Sequence, residues 1–354
     1  MSRALDNNTA ASLRSGNPLA AYDAISNALI PPCDGLLDIE ILGTGHVLEE
    51  GQYVLQDGCA VGVSKPGLVQ AFLVARKGLK DHMDGAESQT EGEMFAATAV
   101  ILLLDPEYLT AANSRKRLLQ GQVSSGGDAR AMLEKEKRFV DSLLTSRLHR
   151  HTKSPTLWSH RRWLLTLTVS LGVPVDALRD MTDVVFVAGE RHPRNYYAWC
   201  HARFLMGFRT GVNGNELLAA TQTWCFRHHT DISGWSFLYF LLNTESTLGP
   251  GAACSTFTQV LDVVSSLRLG NESVWVFLRT LAASGLVGDA QYAQLLNVQK
   301  AVLETLETPA DQAVLRAAIN WCTAYRRNSA MDVAAVCTRV TCTWSQPESK
   351  NLVP

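Results

Sequence analysis

The residues of this 354-residue chain best equipped to ligate a metal or attack a substrate are its nine histidines and eight cysteines. Their spacing argues against both uses. His149 with His151, and His228 with His229, lack the i, i+4 separation that sets two imidazoles on one helical face, and no nearby carboxylate or cysteine completes a coordination set. Cys33, Cys59, Cys200, Cys225, Cys254, Cys322, Cys337 and Cys342 contain no C-x-x-C pair and sit mostly in apolar stretches. Reduced thiols in a cytoplasmic protein are expected. No G-x-S-x-G, P-loop or strand-borne G-x-G-x-x-G is present, so an enzyme acting alone has little support and no metal is expected in this chain. What remains is a column of basic residues, Lys116, Arg162, Arg203 and Arg279, each four residues after Ala112 or a tryptophan. An arginine so placed lays its stem on an aromatic ring and braces a neighbouring helix or subunit.

The elements that carry this column are repeats. Five segments superimpose without gaps: YLTAANSRKRLL from Tyr108, SPTLWSHRRWLL from Ser154, NYYAWCHARFLM from Asn195, DISGWSFLYFLL from Asp231 and NESVWVFLRTLA from Asn271. Their fifth positions are Ala112, Trp158, Trp199, Trp235 and Trp275, at spacings of 46, 41, 36 and 40 residues. Six residues later comes leucine in every copy: Leu118, Leu164, Leu205, Leu241 and Leu281. Tryptophan and leucine at this distance anchor one face of a helix, and Asn195, Asp231 and Asn271 are suited to cap its start. Amphipathic stretches at 130–150, 174–190, 214–228 and 252–268 precede the signatures. Each unit thus reads as helix, capped turn, helix. The fold class is all-α, an α-α superhelix or solenoid of about five helix pairs, because no single pair could bury both its faces.

Composition agrees with a globular chain, 46% hydrophobic and 19% charged, and 32 basic against 34 acidic residues give nothing global to attract nucleic acid. The longest apolar run, Phe95 to Leu104, is half the length of a membrane span. Residues 1–93 are expected to form an irregular N-terminal arm or cap with a flexible loop, since 31–65 is rich in Gly and Pro and 81–93 is polar. Another exposed loop is expected at 121–128. Residues 94–285 should hold the helical repeats, 286–344 further helices, and 345–354 a polar tail.

The phrases HPRNYYAWCHARFLM (192–206), KSPTLWSHRRWLL (153–165) and NESVWVFLRTLA (271–282), with ALIPPCDG (28–35) and AVILLLDPEYLTAANSRKRLL (99–119), resemble the protein prenyltransferase alpha subunit family, in particular its repeat-containing members. The family pattern runs P-K-N-Y-x-x-W-x-x-R-x-x-L. The resemblance implies a helical subunit partnered by a separate beta subunit, which binds an isoprenoid diphosphate and zinc and supplies the zinc ligands. It implies transfer of a geranylgeranyl group to a cysteine thiol near the C-terminus of a protein substrate. Lys153 matches the family lysine that reaches the diphosphate, although Ser154 and Pro155 replace the Asn-Tyr that follows it. Arg194, Asn195, Tyr196 and Tyr197 match residues expected at the substrate or the subunit interface. The same helical repeats also suit a scaffold that has no part in catalysis, so the fold alone does not choose.

Overall fold

The computed structural model describes residues 16–30, 35–43, 46, 48–85, 89–208, 213–244 and 247–326. The expected polar tail and half of the ALIPPCDG phrase lie outside them. The chain divides into two units, Met1–Ala220 and Thr221–Pro354.

The first unit opens with helix α1 (Pro18–Ala28), then strands β1 (Asp38–Leu42), β2 (Val54–Asp57) and β3 (Ala60–Ser64), and helix α2 (Lys65–Met83). The strands form one sheet in the order β1-β3-β2, with β1 parallel and β2 antiparallel to β3. The arm is therefore not irregular. Short strands broken by glycines show no readable alternation, while α2 carries Leu68, Ala71, Ala75 and Leu79 at helical spacing, buried between α1 and the next helix. Ser64 caps α2 and Lys65-Pro66 starts it, as proline does well in a first turn. Sheet and repeats are tied directly. The Leu37 N–H donates to Ser142 Oγ at 2.9 Å, and the Arg147 N–H to the Ile39 carbonyl at 3.3 Å.

The helices that follow are α3 (Glu91–Leu104), α4 (Leu109–Ser124), α5 (Ala129–Thr145), α6 (His149–Thr152) and α7 (Pro155–Ser170). Next comes a continuous run from Ala177 to Arg191, labelled α8, with π turns at Met181–Phe186, and then α9 (Tyr196–Leu205). Two expectations change here. The stretch 130–150 breaks at Ser146, and α4 continues to Ser124 where a loop was expected. The second helices of successive repeats, α4, α7 and α9, lie against one another, and the first helices α5 and α8 do the same. In the second unit α11 (Ile232–Thr244) packs on α13 (Glu272–Ala283), and α13 on α15 (Pro309–Tyr325); α12 (Ala252–Leu267) packs on α14 (Asp289–Leu303). Helix α10 (Gly214–Arg227) runs across the division. Within each unit the helix pairs stack in two layers, the arrangement of an α-α solenoid. Helix α15 adds a further second-layer helix that carries no tryptophan in the repeat column.

Each repeat tryptophan is the fourth residue of its helix, and Trp158, Trp199, Trp235 and Trp275 are all buried. Leu164, Leu205, Leu241 and Leu281 are buried as well. Leu118 is a correction, because it is only partly covered and its neighbour Leu119 fills the core beside Leu164. Asn195, Asp231 and Asn271 cap their helices as expected, and Ser154 does so too, each accepting an N–H from the first turn.

Why Trp158, Trp235 and Trp275 are tryptophan and not another large ring follows from the indole N–H. Trp158 donates to the Thr152 carbonyl at 2.9 Å, Trp235 to His229 at 2.9 Å, and Trp275 to Leu269 at 2.8 Å, in each case six residues back. The side chain both fills the core and closes the turn that precedes its own helix. Trp275→Phe keeps a six-membered aromatic ring but deletes the donor and part of the buried volume, so it should cost about 1–3 kcal/mol through the carbonyl left unpaired, with a cavity term added to that. Urea unfolding checks this, and a variant as stable as the parent would remove the turn-closing role.

The basic column braces neighbours. Lys116 lies over Trp163 at 5.6 Å, Arg162 over Phe204 at 4.5 Å, and Arg279 over Trp321 at 5.3 Å. Trp163 and Phe204 each follow the next repeat's tryptophan by five residues, so consecutive copies interlock through cation-π contacts worth about 0.5–1 kcal/mol apiece. Among the described residues Cys59 departs from expectation, being disulfide-bonded, whereas Cys200, Cys225, Cys254 and Cys322 are free thiols. Disulfides depend on spatial approach and not on a C-x-x-C spacing, so the sequence pattern did not exclude one.

Candidate functional site

Lys153, Arg194, Tyr196 and Tyr197 come together at the turns that begin α7 and α9. The join is a single buried amide. Asn195 Nδ2 donates to the Thr152 carbonyl at 2.6 Å, the same oxygen that accepts the Trp158 indole, while Asn195 Oδ1 caps α9 through the Ala198 N–H at 3.2 Å. Asn195 is 1% exposed. Its placement thus differs from the ligand-facing one expected, because both ends of its amide are used inside the stack.

On either side of this hydrogen bond stand exposed cations. Lys153 follows Thr152 and Arg194 precedes Asn195, and both are exposed. Arg194 has a φ of 60°, a left-handed conformation that costs a residue with a Cβ about 1 kcal/mol. Such strain is found where a turn must present a side chain in one direction. Next to them Tyr196 and Tyr197 are 54% and 37% exposed, with rings edge to face at 5.5 Å. An exposed tyrosine pair beside two cations offers hydroxyl donors and flat apolar area together.

Ser154 and Pro155 fit the start of α7. Ser154 Oγ accepts the Leu157 N–H at 3.1 Å and donates to the Pro106 carbonyl at 3.2 Å, and Pro155 occupies the first helical position. One hydroxyl therefore does for α7 what the Asn195 amide does for α9: it caps the helix and ties it to the preceding repeat.

Charges around Lys153 are otherwise paired. Arg147 meets Asp38 of β1 at 3.1 Å, Arg191 approaches the same carboxylate at 3.6 Å, and Arg150 meets Asp105 at 3.0 Å. Lys153 has no acidic partner within ion-pair distance among the described residues. His149 Nδ1 lies 3.3 Å from His192 Nδ1. Partial burial, then Lys153, then His149 lower the pKa of His192 from its ordinary value. His151 faces inward instead. Its Nε2–H donates to the Leu102 and Leu103 carbonyls at 3.1 and 2.9 Å, and burial pushes its pKa down to about 4, which keeps it neutral. Among the described residues no group of three or more His, Cys, Asp or Glu side chains could hold a metal ion.

Beneath the turns lie two buried charge networks that sequence reasoning missed. Arg161, fully buried, donates to Asp141 at 2.6 Å and meets Asp180 at 3.1 Å; Lys137 joins both carboxylates at 2.9 and 2.7 Å. Arg161 also donates to His201 Nε2 at 2.6 Å, which requires a neutral imidazole; burial, then Arg161, hold the His201 pKa well below normal. In the second network Arg115 grips Glu136 at 2.8 Å, and His160 donates to the same carboxylate at 2.8 Å. Burial works to raise the Glu136 pKa, but Arg115 and His160 prevail and lower it to about 2. Arg115 and Arg161 each stand three residues after Ala112 or Trp158, a column readable in the sequence as basic in the first two copies.

In the second unit a groove of about 250 Å³ runs between α13 and α15, lined by Trp275, Val276, Arg279, Ala310, Ala313 and Ala317. No helix among the described residues is long and apolar enough to cross a membrane.

Residues 133–168 match the protein prenyltransferase alpha subunit repeat, and residues 157–264 match the ECM9 middle domain. The chain is 31% identical over 179 residues to protein prenyltransferase alpha subunit repeat-containing protein 1 of Danio rerio, covering 44% of this chain and 39% of that protein. It is 32% identical over 151 residues to protein ECM9 of Saccharomyces cerevisiae, covering 42% and 40%. With the geranylgeranyl transferase type-2 subunit alpha of Candida albicans it shares 28% identity over 122 residues, covering 34% and 32%. The chain thus spans about two fifths of the length of the repeat-containing relatives it matches, 37% to 40%.

Proposed function

Because this chain carries the protein prenyltransferase alpha subunit repeat, we propose that it is the alpha-type subunit of a heterodimeric protein prenyltransferase that works in the cytoplasm. The reaction is transfer of a geranylgeranyl group to a cysteine near the C-terminus of a protein substrate, and the relative named as a geranylgeranyl transferase subunit supports that choice. The observation that carries the reading is Lys153, an exposed ammonium with no acidic partner among the described residues, held on a turn fixed by Asn195 and Ser154.

The substrate thiolate attacks C1 of the isoprenoid, the C–O bond breaks, and diphosphate leaves with the electron pair. Zinc belongs to the partner beta subunit in this reading, and bound there it would lower the thiol pKa. Lys153 meets the charge that builds on the leaving diphosphate. Tyr196 and Tyr197 flank the substrate channel or the subunit interface.

Mixing the purified chain with a zinc-bearing α/α-barrel beta subunit, a labelled geranylgeranyl diphosphate and a cysteine-bearing protein tests this. Transfer is expected from the mixture and not from the chain alone. Turnover by the chain alone would misplace the active site, and a stable but inactive heterodimer would leave a scaffold.

A further inference from the structure

The contact between His149 and His192 is not explained by the repeat architecture. Each residue sits on a different turn, and the two Nδ1 atoms face each other at 3.3 Å with the rings edge to face, 80° apart. When both imidazoles are neutral, one Nδ1–H can donate to the other Nδ1, and the pair is satisfied within itself. Its surroundings are cationic. On the same turn as His149 are Arg147, Arg150 and Lys153; on the facing turn are Arg191 and Arg194 with Glu190; and Asp38 approaches from β1. Asp38 is shared by Arg147 and Arg191, and Asp105 is taken by Arg150. The hydrogen bond from Asn195 to Thr152 holds both turns in register immediately beside Lys153.

We propose that His149 and His192 extend the Lys153 position into an oxyanion subsite that takes the far phosphate group of a diphosphate. The inference rests on the prenyltransferase reading for the identity of the ligand, but not for the existence of the site. An oxyanion entering between the rings replaces the imidazole-imidazole hydrogen bond with two Nδ1–H donations, while Lys153 supplies charge from the side. The Nδ1 that was the acceptor must then carry a proton, drawn from solvent. The low basicity of the free His192, caused by its burial and its cationic neighbours, is relieved once an anion arrives. Affinity for the anion therefore rises as pH falls.

Inorganic pyrophosphate is the probe, titrated calorimetrically into the chain at pH 6 and pH 8. The ligand's own titration cancels when variants are compared with the parent. Lys153→Ala should weaken binding at both pH values. His149→Ala and His192→Ala should each weaken it roughly tenfold at pH 6 and little at pH 8, the size expected when one linked proton is lost. All three side chains lie at the surface of turns, and circular dichroism confirms that the variants fold. Absence of pyrophosphate binding by the parent, or the same pH dependence in the double histidine variant as in the parent, overturns the proposal. If the chain binds pyrophosphate as described but no beta subunit yields transfer, the subsite stands and the prenyltransferase reading falls. Transfer with histidine variants that bind as the parent does leaves the reverse.

Discussion

Lys153→Ala should lower kcat of the reconstituted heterodimer roughly thirty-fold to a thousand-fold, about 2–4 kcal/mol of barrier, while the heterodimer still assembles. The reasoning is one of timing. A ground-state diphosphate already has its charge neutralised by whatever binds it, whereas bond cleavage moves further charge onto the leaving oxygens, and only a contact that strengthens then speeds the step. Isoprenoid affinity should accordingly fall less than kcat does. Lys153→Arg should recover part of the rate, since charge persists on a fork of different reach. Assembly should survive because Lys153 is exposed and its turn is held by neighbours: Thr152 through Trp158 and Asn195, Ser154 through Pro106. Single-turnover rates with saturating isoprenoid, alongside a size measurement of the complex, decide it. Parental turnover in an intact heterodimer would leave the chain a scaffold.

The repeats were legible because a few side chains carry most of their geometry. Tryptophan in four of five copies, leucine in all five and cap residues four positions ahead define where each second helix starts, and the structure starts α7, α9, α11 and α13 there. Burial alone, however, did not reveal the second task of the indole, since a hydrogen bond to a carbonyl six residues back leaves no mark in a hydrophobic pattern. The N-terminal arm was misread for a related reason. Its strands are four or five residues long and separated by glycines, too short for alternation to be seen, and α2 has a helical apolar period that went unread beside them. As for the site, a cationic Lys153 could be found only by aligning its turn with the other repeats. The hydrogen bond of Asn195 to Thr152 and the meeting of His149 with His192 each join residues 43 apart, and no local pattern encodes that distance. The acids Glu136, Asp141 and Asp180 were invisible as a group because two lie on one helix and the third on another, each looking like part of an ordinary polar face until the stack buries it.

That burial makes the network around Arg161 the place where one charge matters most. Asp141→Asn removes one of two negative charges that balance Arg161 and Lys137, leaving Asp180 alone against both. Removing a partner from a buried pair costs about 3–5 kcal/mol, chiefly because the remaining charge stays out of water uncompensated. Asparagine preserves shape and one acceptor, so the loss isolates charge from volume. The pH profile gives an independent reading. Asp141 is held below the usual carboxylate range by Arg161 and Lys137, which together outweigh its burial, and Glu136 is held at about 2. A carboxylate whose pKa is lower folded than unfolded stabilises the fold fully above its unfolded pKa, and that contribution disappears as pH falls toward the folded value. His151 adds an earlier loss, because the unfolded chain takes up its proton near pH 6.5 and the folded chain only near 4. Stability should therefore be level above about pH 7, begin to fall below it as histidines charge in the unfolded chain, and drop again below about pH 4.5. Asp141→Asn should lower the plateau near neutrality and soften the acid decline, since the residue that must be protonated is gone. Urea unfolding of both proteins from pH 3 to pH 8 measures the two effects together. A variant within about 1 kcal/mol of the parent at pH 7, with an unchanged acid slope, would show that Asp180 alone suffices to hold Arg161 and Lys137.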